Sequence, residues 1–468
     1  MTKKVVIIGG GPAGYEAALV GAQYDVEITL VERQGLGGSG VLKDVVPSKS
    51  FIAGANIKTD LRRADDMGLN HGIANASLSI DALNDRVRAM AAQQSADIRG
   101  QIVNAGVEVV IGSARFAEDQ TEHITYNVEI TPEGEESYVT EADIVLLATG
   151  ASPRVLKGAM PDGERVLTWQ QVYNLKENPE HLIVVGSGVT GAEFVSAFAE
   201  FGVKVTMVAS RDRILPHDDA DAADVLETVL KKRGVSLVKH ARVDTVTNTG
   251  DGVVVRTADG REITGSHCIM SIGSIPNTAE LNLEAAGVSY SPSGHINVDR
   301  VSRTTAPGIY AAGDCSDLLP LASVAAMQGR TSMYHALGEG VSPIRLKTVG
   351  NAVFTRPEIA AVGVTEQEIR DGKVQADIVK LELATNPRAK MRSLKHGFVK
   401  VFSRKGSGQV LGGVIVAPTA SELIWSLTIA VTNNLTVYDL AESMAVYPSL
   451  SGSITEAARR LLVTDDLN

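Results

Sequence analysis

The sequence is poor in several features that whole classes of protein require. Its 468 residues include only two cysteines, Cys268 and Cys315, so a secreted scaffold built on disulfides is excluded. Acidic residues (55) outnumber Lys and Arg (44), and the formal net charge of −11 argues against binding to nucleic acid. No apolar run reaches the length of about 18 residues that a membrane span requires, so we expect no integral membrane segment. The histidines show no ligand spacing, and we therefore predict no metal site.

The start of the chain and its glycine content indicate an α/β protein. The opening MTKKVVIIGGG leads directly into a strand-like run and leaves no room for a signal peptide, so we expect a cytoplasmic protein. The 45 glycines suit a fold with many tight turns and close approaches of backbone to ligand. A chain of 468 residues is too long for one hydrophobic core, and we expect two to four domains.

A strand, a glycine turn, a helix and a second strand follow one another at the start of the chain. Lys3 to Ile8 is apolar and β-branched, which predicts a strand buried on both faces. In the turn that follows, Gly9 permits the tight bend, Gly11 lets the backbone approach a pyrophosphate, and Gly14 allows close packing of helix and strand. Glu32 ends the second strand, where a carboxylate can accept hydrogen bonds from ribose hydroxyls. The pattern predicts a dinucleotide site.

The same arrangement occurs a second time in HLIVVGSGVTG, with its glycines at Gly186, Gly188 and Gly191. Its second strand ends in Ala209–Ser210–Arg211 and carries no acid there. Ser210 and Arg211 would favour a 2′-phosphate and hence NADPH, whereas glycine at position 191 is more often found with NADH. Both nucleotides remain open, and a purely solvated Arg211 is the alternative interpretation.

The regions around these motifs predict further elements. Ser77 to Ala105 has apolar residues at helical spacing and predicts a long polar helix. Val128 to Tyr138 alternates on either side of a Pro-Glu-Gly turn and predicts a hairpin. The acidic stretch from Leu215 to Asp224 is interpreted as a solvated turn and helix start rather than a cation site. From about Thr348 onward, β-type runs followed by helices predict a separate C-terminal domain.

Over essentially its whole length the chain resembles the pyridine nucleotide–disulfide oxidoreductases, which include dihydrolipoamide dehydrogenase, glutathione reductase and mercuric reductase. Eight ordered segments carry the resemblance: VVIIGGGPAGYEAA, GGSGVLKDVVPSKS, LLATGASPR, VVGSGVTGAEF, IGSIPN, GIYAAGDC, FTRPEIAAVGVTE and MAVYPSLSGSITEAARR. The resemblance implies an α/β fold of two Rossmann-like domains and a C-terminal α+β dimerisation domain, assembled as a homodimer. The implied boundaries are 1–150 and 273–345 for the FAD domain, 151–272 for the NAD(P) domain and 346–468 for the dimerisation domain.

The resemblance also assigns FAD-binding residues. Glu32 would hold the adenosine ribose, Asp314 would bind the ribityl chain, and Lys49 would lie near the flavin N5 atom, paired with Glu193. Such a carboxylate keeps a buried lysine charged, and the cation stabilises the anionic reduced flavin. The implied FAD residues are Gly9, Gly11, Pro12, Ala13, Gly14, Glu32, Arg33, Gly38, Ser39, Lys49, Ala114, Thr149, Gly150, Asp314 and Ala322. The implied NADPH or NADH residues are Gly186, Gly188, Val189, Thr190, Gly191, Glu193, Ser210, Arg211 and Gly273.

The chain departs from the family at every position of the thiol relay. Most relatives carry C-x-x-x-x-C-x-P-S-K, and here the two cysteine positions are Gly40 and Val45. The family's C-terminal H-P-x-x-x-E becomes YPSLSG, so that Tyr447 and Gly452 replace the histidine and the glutamate. Neither glycine nor valine can attack a disulfide, and tyrosine is a poor base at neutral pH. Electrons must therefore leave the reduced flavin without a disulfide.

A quinone suits such direct transfer, because it accepts two electrons and two protons without covalent catalysis. The pattern resembles the disulfide-less, dihydrolipoamide-dehydrogenase-like branch of NAD(P)H:quinone reductases, and we predict that function, with Lys49, Glu193 and Tyr447 as catalytic residues. Tyr447, supplied by the partner subunit, would pack on the quinone or donate to it, although a plain interface role stays open. The alternatives are a flavin-dependent pyridine-nucleotide transhydrogenase, and a non-catalytic flavoprotein subunit or redox sensor.

Overall fold

The computed structural model describes residues 2–62, 64, 68, 78–120 and 125–465. The chain forms two compact units. One comprises Met1–Ser50, Asp81–Arg154 and Gly273–Arg345, and the other comprises Phe51–Ile80, Val155–Ile272 and Leu346–Asn468. The three-domain division expected from the sequence stays a prediction. No helix among the described residues is both long enough and apolar enough to cross a membrane.

Strands and helices follow one another along the described residues, apart from the stretch 277–308, which contains no helix or strand. The strands are β1 (Lys3–Ile8), β2 (Val26–Glu32), β3 (Glu108–Phe116), β4 (Tyr126–Pro132), β5 (Tyr138–Ala142), β6 (Ile144–Leu147), β7 (Ala151–Pro153), β8 (Val166–Thr168), β9 (His181–Val185), β10 (Lys204–Val208), β11 (Ser236–Val238), β12 (Val243–Asn248), β13 (Val253–Thr257), β14 (Glu262–Gly265), β15 (His267–Met270), β16 (Ser274–Pro276), β17 (Ile309–Ala311), β18 (Asn351–Val353), β19 (Glu358–Gly363), β20 (Ala376–Glu382), β21 (Phe398–Arg404) and β22 (Val410–Ala417). The helices are α1 (Pro12–Gly21), α2 (Gly38–Leu42), α3 (Val45–Arg62), α4 (Ile80–Asn104), α5 (Val189–Phe201), α6 (Ala220–Lys232), α7 (Ala322–Ala336), α8 (Glu366–Arg370), α9 (Pro387–Met391), α10 (Ala420–Thr432), α11 (Val437–Glu442) and α12 (Gly452–Asp465).

The first unit is built around a seven-stranded sheet of order β17-β6-β1-β2-β3-β4-β5. The central strand β1 pairs in parallel with both β2 and β6. Val5 and Ile7 belong to one hydrophobic core, and Val6 and Ile8 belong to a second core. Because successive side chains of a strand point to opposite faces, β1 is buried on both faces, as its apolar run predicts.

Two other predictions about this unit are confirmed within the described residues. The predicted hairpin is formed by β4 and β5, which pair antiparallel. The predicted long helix is α4, which spans Ile80–Asn104 and buries Val87 and Ile102. Ser77, the expected start of that helix, lies outside the described residues.

The second unit contains a parallel sheet of order β11-β10-β9-β15-β8 and a three-stranded sheet of order β12-β13-β14. A further antiparallel sheet has the order β18-β19-β22-β21-β20. The strands that follow Thr348 thus form an antiparallel sheet of their own. The fold is mixed α/β, as the sequence predicts.

The acidic stretch from Leu215 to Asp224 is not the solvated turn that the sequence suggested. Asp219 does begin helix α6, because its carboxylate accepts a hydrogen bond from the Ala222 amide at 3.1 Å. Its side chain is nevertheless only 5% exposed and pairs with the buried ammonium of Lys400 on β21. The interpretation failed because the partner lies far along the chain, where local sequence gives no sign of it.

Candidate dinucleotide sites and redox positions

The first glycine turn fits only glycine at two of its positions. Gly9 has a φ of 108°, and a Cβ there would lie 2.2 Å from the carbonyl oxygen of Ala148. A Cβ on Gly14 would lie 1.8 Å from the carbonyl oxygen of Gly9. Both positions therefore serve the packing of turn, helix and sheet. Pro12 follows at the first helical position, where its missing N–H costs nothing, and Ala13 is buried in α1.

Gly11 serves a different purpose from its neighbours. A Cβ on Gly11 would meet no atom of the protein within 4 Å, although this residue caps the N-terminus of α1. Gly38 approaches it so closely that a Cβ on Gly38 would lie 2.8 Å from the Gly11 Cα. The result is an open backbone cradle at the positive end of a helix, which fits a pyrophosphate group. Ser39 follows Gly38 on α2 and is half-buried.

Glu32 lies at the end of β2, with its carboxylate held by the backbone. The side chain is 8% exposed, and its two oxygens accept hydrogen bonds from the amides of Gly10 and Gln34, each at 2.7 Å. Each carboxylate oxygen keeps a further lone pair, so the residue fits a sugar diol donor. Arg33, the next residue, extends to an exposed ion pair with Glu280 at 3.3 Å.

The other proposed FAD residues of the first unit lie at strand ends or close to them. Ala114 is buried on β3, Thr149 and Gly150 follow β6, Asp314 follows β17, and Ala322 begins α7. Burial raises the pKa of Asp314, while the nearby His295 acts in the opposite direction. A partly buried acid of this kind fits a hydroxyl donor on a ligand.

Sequence reasoning missed one residue that shapes this region. The Asn277 side-chain amide donates to the carbonyl oxygen of Thr149 at 3.0 Å, and its backbone N–H donates to that of Gly150 at 2.9 Å. Asn277 therefore holds in place the turn that carries two predicted FAD contacts. Asn277 ends the IGSIPN segment, and the family resemblance of that segment was the available sign that it matters.

The second glycine turn repeats the geometry of the first. A Cβ on Gly186 would lie 2.1 Å from the carbonyl oxygen of Ser271, and one on Gly191 would lie 2.1 Å from that of Gly186. A Cβ on Gly188, by contrast, would meet nothing within 4 Å. Two glycines again serve packing, and the middle one opens a cradle at a helix N-terminus. Val189 and Thr190 begin the helix α5 that follows.

Two further nucleotide-site predictions concern strand ends. Ser210 and Arg211 are exposed just after β10. Gly273 has a φ of 95° and accepts a hydrogen bond at 2.9 Å from the Arg154 amide. The roles of these residues in nucleotide binding stay predictions.

The proposed catalytic pair, Lys49 and Glu193, lies on two different helices. Lys49 is half-buried on α3, and Glu193 is 3% exposed on α5. The Glu193 carboxylate accepts a hydrogen bond from the Phe354 amide at 2.9 Å. The pairing of Lys49 with Glu193 stays a prediction.

The relay positions hold no redox-active group. Gly40 lies on α2, and Val45 begins α3. Cys268 and Cys315 are each 0% exposed, and burial raises the pKa of both thiols. Since the thiolate is the reactive form, these cysteines are inert as nucleophiles.

Of the two C-terminal positions of the relay, Tyr447 is strongly exposed in the single chain. Tyr447 is 82% exposed and precedes a cis peptide bond to Pro448. Its neighbours Met444 and Val446 are 100% and 77% exposed. Gly452 begins α12. An apolar segment this exposed is typical of a protein–protein interface.

Two glycine cradles, one with a buried acid beside it and one without, are typical of an α/β protein that binds two dinucleotides. Comparison with known families agrees. The chain matches the model for pyridine nucleotide-disulphide oxidoreductases over residues 3–329, and that for the dimerisation domain of the same family over residues 349–458. The chain belongs to the pyridine nucleotide-disulphide oxidoreductase family. It is accordingly an oxidoreductase that uses FAD and NAD(P)H.

Several characterised relatives are similar over their full length. An NAD(P)H dehydrogenase (quinone) of Mycobacterium tuberculosis is 56% identical over 471 residues, covering 100% of this chain and 96% of the relative. A dihydrolipoyl dehydrogenase of Bacillus subtilis is 31% identical over 462 residues, covering 97% of each chain. The crystal structure of LpdA from Mycobacterium tuberculosis has a TM-score of 0.94 at 55% identity, covering 98% of this chain and 100% of that one.

Proposed function

We propose that this protein is an FAD-dependent NAD(P)H dehydrogenase whose electron acceptor is a quinone. The observation that carries the proposal is the replacement of both relay cysteines by Gly40 and Val45, while both glycine cradles are intact. FAD, when bound, accepts a hydride from NAD(P)H and passes two electrons to an acceptor. The 56% identical relative named NAD(P)H dehydrogenase (quinone) supports the choice of acceptor.

The absence of the relay also changes the space available at the site. A Cβ on Gly40 would lie 3.4 Å from Cγ of Pro12, an ordinary contact distance, so a side chain there is omitted without steric necessity. Because Gly40 has no side chain, there is space beside the apolar ring of Pro12. Such a space suits a planar, apolar acceptor better than a charged one. The remaining cysteines, Cys268 and Cys315, are buried and offer no route for electrons through sulfur.

The roles of the protein's own groups follow from their chemistry. Glu32 and Asp314 would accept hydrogen bonds from hydroxyls of the bound FAD, and Gly11 and Gly188 would admit phosphate groups to helix N-termini. Lys49 would provide positive charge beside the bound flavin, with Glu193 as its proposed partner. These assignments rest on the resemblance and on the placement of each residue at a strand end or helix start.

We further propose that the enzyme is a homodimer in which Tyr447 borders the acceptor site of the partner subunit. Support comes from the match to the dimerisation domain over residues 349–458 and from the exposure of Met444, Val446 and Tyr447. Tyrosine combines an apolar ring with a hydrogen-bond donor, which suits a quinone. The cytoplasmic location expected from the sequence stays a prediction.

An anaerobic titration with NADPH tests the proposal. About one equivalent per FAD bleaches the flavin completely, and no thiolate–flavin charge-transfer band develops, because no cysteine pair exchanges electrons with the ring. A requirement for about two equivalents contradicts the proposal. Steady-state assays with a soluble benzoquinone, with a small disulfide and with an NAD⁺ analogue then separate a quinone reductase from a disulfide reductase and from a transhydrogenase.

A further inference from the structure

The two dinucleotide units can be compared position by position through their hydrogen bonds. The Gly9 amide donates to the carbonyl oxygen of Val31 at 2.8 Å, and the Gly186 amide donates to that of Val208 at 3.0 Å. Val31 and Val208 are therefore equivalent, and the residue equivalent to Glu32 is Ala209. The buried acid that suits a ribose diol in the first unit is replaced by Ala209 in the second, so no carboxylate at that position repels a 2′-phosphate.

A second loop lies against the end of β10. The Ala241 amide donates to the carbonyl oxygen of Ala209 at 2.9 Å, and the His240 amide donates to that of Arg211 at 3.2 Å. Strands β10 and β11 are parallel neighbours, and their carboxyl ends meet at one edge of the sheet. His240, on the loop after β11, consequently lies beside the exposed Ser210–Arg211 pair.

The backbone of His240 is held in an unusual conformation. Its φ is 50°, in the left-handed region, and its side chain is exposed. The guanidinium of Arg261 donates to the carbonyl oxygens of His240 at 2.8 Å and Lys239 at 3.3 Å. The Lys239 ammonium is 2.6 Å from Glu227, so that cation is already paired. Histidine is one of the non-glycine residue types that adopt this region most readily, and the two hydrogen bonds from Arg261 hold the backbone of this loop in place.

We propose that His240 is a specificity-determining residue which, together with Ser210 and Arg211, binds the 2′-phosphate of NADPH. The inference rests on the proposed function, because it assumes that NAD(P)H binds at the second glycine cradle. A guanidinium, a hydroxyl and an imidazole on two adjoining loops supply several donors to a phosphate. Asp212 is an exposed acid next to Arg211, so a further hydrogen-bond donor would help an acidic protein to retain this anion.

The test is the affinity of the oxidised, FAD-loaded enzyme for NADP⁺ and for NAD⁺, measured by isothermal titration calorimetry. His240→Asn and His240→Gly both tolerate a left-handed backbone, so neither introduces strain. Each is expected to weaken NADP⁺ binding about tenfold, which corresponds to the loss of one charge-assisted hydrogen bond, and to change NAD⁺ binding less than about twofold. His240→Arg should keep NADP⁺ affinity near that of the wild type.

Arg256→Gln is the matched control, because it removes an exposed cation from β13 that is paired with Glu262. This variant should leave both affinities unchanged. The inference is overturned if the His240 variants weaken NADP⁺ and NAD⁺ equally, or if they weaken neither. Quinone reduction at saturating NADH is measured on the same proteins. Failure of the wild type in that assay refutes the proposed function alone, whereas normal turnover with unaltered NADP⁺ affinity refutes the role of His240 alone.

Discussion

The ammonium nitrogen of Lys400 lies 2.8 Å from Oδ2 of Asp219, and the two side chains are only 1% and 5% exposed. Asp221 approaches the same ammonium at 2.9 Å, and Glu366 also bonds to it. One lysine on β21 thus compensates three carboxylates from helices α6 and α8. Although three such acids could hold a metal ion, the lysine ammonium bonds to all three of them.

Replacement of Lys400 should destabilise the protein strongly. Lys400→Met leaves the buried Asp219 carboxylate without its lysine partner, while Asp221 keeps Lys380 and Glu366 keeps Arg370. The free energy of unfolding should fall by about 3–5 kcal/mol. Lys373→Met is the control. The Lys373 ammonium lies 3.4 Å from the Asp371 carboxylate, and the two side chains are 65% and 40% exposed, respectively. That variant should lose less than about 1 kcal/mol. Urea unfolding of the FAD-loaded enzyme measures both, and equal midpoints for the two variants would contradict the prediction.

The same cluster predicts how stability depends on pH. Burial raises the pKa of Glu366, but hydrogen bonds from Lys400 and Arg370 outweigh it, so the net pKa lies below 4.5. The pKa of Asp221 is likewise lowered below 3.8, because its bonds to Lys400 and Lys380 outweigh burial. An acid whose pKa is lowered by folding stabilises the fold above its unfolded pKa, and this contribution is lost as the pH falls through the folded pKa.

Wild-type enzyme should therefore lose stability as the pH falls below about 4.5, the ordinary pKa of the glutamate carboxyl. In Lys400→Met the three carboxylates repel one another without the shared ammonium between them, so their protonation in acid reduces the cost of the substitution. The difference in the free energy of unfolding between wild type and Lys400→Met should be largest near neutral pH and should become smaller in acid. Urea midpoints at a series of pH values measure it, and a gap that is independent of pH would rule out this explanation.

Sequence patterns predicted the parts of the molecule whose chemistry is local. Gly9, Gly11 and Gly14 are recognisable because a turn, an anion and a helix–strand contact each restrict one nearby position. The Lys400–Asp219 pair was not predictable in this way, since the residues are 181 positions apart. A lysine in an apolar strand and an aspartate before a helix each have an ordinary surface interpretation. Only the fold brings them together.

The two kinds of glycine in the first turn predict opposite outcomes for the same substitution. A Cβ on Gly14 would lie 1.8 Å from a backbone oxygen, so Gly14→Ala should impair folding itself. A Cβ on Gly11 meets only space, so Gly11→Ala should fold but should bind FAD poorly, because the methyl group fills the cradle. Circular dichroism and flavin content per chain distinguish the cases. A Gly11→Ala enzyme with full flavin content would show that the cradle does not hold the cofactor.

The proposed position of Lys49 predicts a kinetic effect. Lys49→Met removes positive charge from beside the flavin, and anaerobic reduction by NADPH should slow by about tenfold or more, without loss of bound FAD. Lys58→Met is the matched control on the same helix, because the Lys58 ammonium donates to the carbonyl oxygen of Phe201 at 2.7 Å. The control should lower thermal stability and leave the reduction rate unchanged. Stopped-flow loss of flavin absorbance measures both variants, and equal reduction rates in the two would remove Lys49 from its proposed place.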